Sequence, residues 1–119
     1  MKKMLAFAAA LTAAQWAFAA QPLLAPAQLH ALPAATLRVI DIRDPQAYAK
    51  QHIPGAVSAP YGKWRGPASN PGELPDISKL TQLVQSLGLT PHTHAVVVST
   101  GKDATDFGAM ARVYWTLKS

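Results

Sequence analysis

Polar residues near the end of a predicted strand have the types needed for acid–base chemistry or ligand binding. Asp41 and Arg43 lie at the end of the apolar run 37–42, and His52 follows shortly before Pro54 and Gly55. Ligands often bind beyond the carboxyl ends of strands in open α/β sheets, and histidine exchanges protons near neutral pH. We favour a structural role for these residues over a role in binding or catalysis. Asp41 and Arg43 would tie the strand end to the next loop by hydrogen bonds, His52 would brace a tight turn, and Pro54 and Gly55 would shape its backbone.

Several kinds of reactive site are missing from the sequence. The chain has no cysteine, so it can form neither a persulfide nor a disulfide. It also has no glycine-rich phosphate loop, no nucleophile elbow and no paired-glutamate motif. His92 and His94 stand at the entrance of a predicted strand without a third ligand, so we predict neither a metal site nor a cofactor.

The hydrophobic pattern alternates between strands and helices. It predicts strands at 37–42, 56–58 and 95–99, a short extended piece at 22–24, and helices at 26–31, 44–51, 76–88 and from 107 onwards. Residues 59–75 contain four prolines and three glycines and are predicted to form a long ordered loop. Asp44, Asp76, Asp103 and Asp106 are candidate helix N-caps, and Gly88 can end a helix. This alternation predicts an α/β domain of three layers, with helices on both faces of an open parallel sheet.

Residues 1–19 have the features of a secretory signal peptide. Lys2 and Lys3 precede an uncharged stretch at 4–14, and residues 17–19 fit a signal-peptidase site. Cleavage would remove two of eleven basic residues and none of six acidic ones, which lowers the net charge from +5 to +3. We therefore expect a periplasmic or secreted domain at residues 20–119. We expect it to bind no membrane after cleavage and no nucleic acid, since basic and aromatic residues do not cluster in a run.

The segment from Val39 to Ala56 resembles the first signature of the rhodanese-like family. That signature is a strand, Asp-x-Arg, an acidic residue with Pro, an aromatic residue and Gly-His-Ile-Pro-Gly-Ala, and the chain departs from it at Ala47, where the family usually has Glu, and Gln51, where it usually has Gly. Downstream, Leu74-Pro75, the strand at 95–99 and the segment 111–117 resemble the N-terminal, non-catalytic domain of tandem thiosulfate or mercaptopyruvate sulfurtransferases.

The resemblance implies a sulfur-carrying site that this chain does not complete. The family places its cysteine just after the fourth strand, in a loop at a helix N-terminus. The corresponding loop here contains Thr100, Gly101, Lys102 and Asp103, which implies an inactive loop. In tandem members the active cleft lies between two domains, so the resemblance implies a second rhodanese domain downstream as the partner. The candidate residues for lining that cleft are Tyr61, Lys63, Trp64 and Arg65. The alternative, held equally open, is that this loop simply packs over the core.

The last predicted helix has no sequence signal for its end. The last predicted helix reaches Ser119 without a terminating Gly or Pro, so we expect a domain that is incomplete at its C-terminus and lacks the last strand of the family's sheet. The favoured function is that of a non-catalytic domain in an exported sulfurtransferase whose full-length form takes sulfur from thiosulfate or a similar donor. The alternative is a non-enzymatic pseudoenzyme that binds a protein or an anion.

Overall fold

The computed structural model describes residues 23–119, and the predicted signal peptide lies outside this range. Contacts divide the chain into two units, Met1–Leu32 and Pro33–Ser119. In the first unit, a short helix begins with a proline, and the Gln28 side chain accepts a hydrogen bond of 2.8 Å from the Ala25 amide. This helix is α1, Pro26–His30. Residues 23–25 form no strand, so the extended piece predicted at 22–24 is not a strand in the part that the structure describes.

The second unit alternates strands with helices. Its elements, in chain order, are β1 (Leu37–Asp41), α2 (Pro45–Lys50), β2 (Val57–Ser58), α3 (Ile77–Ser86), β3 (His94–Val98) and α4 (Ala104–Lys118), with 3-10 turns at Ala34–Thr36 and Tyr61–Trp64. No helix among residues 23–119 is both long and apolar enough to cross a membrane.

The three strands form one parallel sheet in the order β2-β1-β3. In the register of this sheet, Ile40 lies beside Val57 and Val97, and Asp41 lies beside Ser58 and Val98. β1 is central, and its last three residues are buried. This burial explains why the apolar residues Val39 and Ile40 are adjacent in the strand, because a parallel strand covered on both faces has no solvent side. The predicted α/β class with an open parallel sheet is confirmed.

Capping residues determine where the helices of the second unit begin and end. Asp44 caps α2 by accepting a hydrogen bond of 2.8 Å from the Ala47 amide, and Gly88, with φ of +72°, follows the end of α3. Asp76 precedes α3, but its carboxylate accepts from the Ser78 hydroxyl, and no side-chain bond caps the helix. α4 begins at Ala104, earlier than predicted, because Asp103 is the residue that caps it. The prediction of a loop through residue 106 was therefore wrong.

Candidate functional site

An open cavity of about 470 Å³ lies at the carboxyl edge of the sheet. Its walls come from the end of β1, the turn between α2 and β2, and the end of β3. The lining residues are Asp41, Arg43, Gln51, His52, Ile53, Pro54, Val98, Ser99 and Thr100. The parallel topology brings these segments together, because the carboxyl ends of β1 and β3 meet at one edge of the sheet. Four residues of the predicted motif, Asp41, Arg43, His52 and Pro54, therefore face one space.

Asp41 and Arg43 form a multiply bonded ion pair at this edge. The Asp41 carboxylate accepts from the Arg43 amide at 3.0 Å, from Nε at 3.0 and 3.1 Å, and from Nη2 at 2.8 Å. Asp41 is only 1% exposed. Burial raises its pKa, but the hydrogen bonds from Arg43 outweigh that effect, so the pKa of Asp41 lies below its ordinary value. The hydrogen bond to Asp41 raises the pKa of Arg43, and the pair stays ionised.

Arg43 also spans the loop that follows β1. Its Nη2 donates to the Gln51 carbonyl at 2.6 Å, so the guanidinium joins the strand end to the end of α2. Gln51 has φ of −164°, an extended conformation that any residue adopts. The absence of glycine at this position therefore strains nothing. The Gln51 carbonyl gives Arg43 a partner although Ala47 offers no carboxylate.

His52 and Tyr48 brace the turn that forms one wall of the cavity. Their rings stack with centroids 3.9 Å apart and planes 8° from parallel, and His52 Nδ1 lies 2.8 Å from the Tyr48 carbonyl. The Tyr48 hydroxyl donates to the Ala56 carbonyl at 2.6 Å. Gly55 has φ of +83°, a conformation that favours glycine, and the Ala56 amide closes the turn on the Ile53 carbonyl at 2.9 Å. These contacts hold His52 in the role of a brace.

The loop after β3 uses its own carboxylates to satisfy its amides. The Lys102 amide donates to Asp106 at 2.8 Å, and the Asp106 amide donates to Asp103 at 3.0 Å. Gly101, with φ of +73°, turns the chain between Thr100 and these bonds. Amides at a helix N-terminus attract anions when they are free. Here two of them are already paired with fixed negative charges.

A second cavity of about 240 Å³ adjoins the same loop. It shares Arg43, Ser99 and Thr100 with the first. Its complete lining is Ile42, Arg43, Asp44, Tyr61, Ser99, Thr100, Thr105, Asp106 and Ala109. Arg43, Ser99 and Thr100 therefore border both cavities at the carboxyl edge of the sheet.

The segment predicted to line a cleft divides into different environments. Tyr61 lines the second cavity, while Lys63 and Arg65 are exposed and line neither of the two cavities. The Arg65 guanidinium lies 5.4 Å from the centroid of the Tyr61 ring. Trp64 is fully buried and donates from Nε1 to the Ala59 carbonyl at 3.1 Å. The prediction that Trp64 lines a cleft was wrong, because its indole is buried in the core with Ile40 and Val113. For this residue the alternative of packing over the core holds.

Sequence reasoning did not identify Gln51, Ser99 and Thr105 as cavity residues. Ser99 directly follows β3 and could have been found from its place at a strand end. Gln51 acts through its backbone carbonyl, for which residue type gives no signal.

Within residues 23–119, no group of three His, Cys, Asp or Glu side chains is placed to hold a metal ion, and His92 and His94 are exposed.

The family model for the rhodanese-like domain matches residues 25–117. This match covers most of the chain and includes every residue of both cavities. Neither the curated proteins nor the solved structures gave a match.

Proposed function

Because the chain belongs to the rhodanese-like family, we propose that it is the non-catalytic, N-terminal domain of an exported tandem sulfurtransferase. A second rhodanese-like domain would supply the thiol that takes sulfur from thiosulfate or a similar donor. This domain would supply the wall of the cleft in which the transfer occurs. The family membership implies a relationship to sulfurtransferases, and the arrangement in two domains is our proposal.

The observation that carries the proposal is the state of the loop after β3. Sulfur relay needs a nucleophilic thiolate in a site that favours anions, and this chain has no cysteine. The loop amides of Lys102 and Asp106 are paired with the carboxylates of Asp106 and Asp103. A donor anion would therefore meet two negative charges where it needs free amides. The loop has a structural role.

The carboxyl edge is suited to serve as a rigid cleft wall. Arg43 is held by Asp41 and by the Gln51 carbonyl, so it needs no reorganisation when another domain packs nearby. Tyr61 borders the second cavity with Thr100 and Thr105. These side chains present hydroxyl groups and an aromatic ring to a substrate or domain at this edge.

The anion-binding alternative is disfavoured by the same geometry. Arg43 is the cationic side chain that both cavities share, and Asp41 neutralises it. An anion would have to compete with a carboxylate that is already bonded through two guanidinium nitrogens. We therefore expect no measurable heat when thiosulfate or sulfate is titrated into the protein.

Terminal peptide mapping by mass spectrometry of the native protein tests the proposal. The predicted signal peptide supports export, so we expect the mature N-terminus at Ala20. We also expect peptides beyond Ser119 that lead to a cysteine-containing loop. A retained Met1 would contradict only the prediction of export. A native chain that stops at Ser119 would contradict only the tandem arrangement.

A further inference from the structure

We draw no further inference here: the strongest candidate, the edge of β3 that pairs with no strand among residues 23–119, carries nothing new, because a strand added there would be the last strand of the family's sheet, which the resemblance to the rhodanese-like family already implies.

Discussion

At the scale of single residues, the Asp41–Arg43 pair dominates the carboxyl edge of the sheet. Both oxygens of the buried Asp41 carboxylate accept hydrogen bonds from the Arg43 guanidinium, and Oδ1 also accepts one from the Arg43 backbone amide. The family signature Asp-x-Arg therefore has a structural role in this chain. It fixes the direction in which the polypeptide leaves β1, and this direction sets the position of the cavity walls.

Removal of Arg43 should destabilise the fold strongly. Arg43→Ala would remove the guanidinium hydrogen bonds and the cation from the Asp41 carboxylate, so the free energy of unfolding should fall by clearly more than the roughly 0.5 kcal/mol of a surface substitution. The free energy of unfolding from urea titration measures this loss. Lys63→Ala is the matched control, because Lys63 is exposed and surface substitutions usually change stability by no more than about 0.5 kcal/mol. Equal effects from the two variants would contradict the structural role of the pair.

Stability should also fall on acidification because of Asp41. Its pKa in the folded chain is lowered, so the folded state favours the ionised carboxylate. The resulting stabilisation is present in full above the unfolded pKa, about 3.9, and is lost as pH falls through the lower folded value. Urea titrations from pH 6 down to pH values below the folded pKa of Asp41 should show this loss of stability in the native chain. They should show a smaller loss in Arg43→Ala, and an unchanged profile in that variant would contradict the assignment.

At the scale of elements, caps determine where the functional loops begin and end. The pattern of apolar residues predicted the three strands and four helices of the described chain to within a few residues. It misplaced the start of α4 because Asp103 and Asp106 are both good N-caps, and only the folded loop shows which one bonds to the other's amide. Asp103 and Asp106 are three residues apart, so the loop between β3 and α4 is shorter when Asp103 is the cap.

Loss of the Asp103 cap should weaken α4. Asp103→Ala would remove the acceptor of the Asp106 amide and should cost about 1 kcal/mol. Asp103→Asn keeps an acceptor oxygen and serves as the control, with little change in stability expected, because asparagine and aspartate cap helices about equally well. Urea unfolding monitored by far-ultraviolet circular dichroism measures both. An alanine variant as stable as the asparagine variant would show that this bond does not hold the start of the helix.

At the scale of the whole molecule, packing between distant segments explains what the sequence could not predict. Trp64 lies in a loop rich in proline and glycine, and its neighbours in sequence are polar or small. Its burial in the core beside Ile40 and Val113 depends on how that loop folds over the sheet. No local pattern encodes this contact. The signature residues, by contrast, were predicted because their order and spacing are local.

The domain combines the rhodanese-like fold with a loop after β3 that contains no cysteine. β1 and β3 bring the cavity residues together, as in other open α/β sheets. In the loop after β3, the carboxylates of Asp103 and Asp106 accept hydrogen bonds from backbone amides of the same loop. We propose that this chain is a scaffold and that a partner domain carries out sulfur transfer.

The formation of thiocyanate from thiosulfate and cyanide tests this account most directly. The assay compares the native chain with Thr100→Cys, which introduces a thiol into the loop after β3. We predict no thiocyanate above the buffer control for either protein, because the native chain has no thiol and carboxylates occupy the loop amides in both. Turnover by the native chain would contradict the scaffold role, and turnover by Thr100→Cys would contradict the inactive state of the loop.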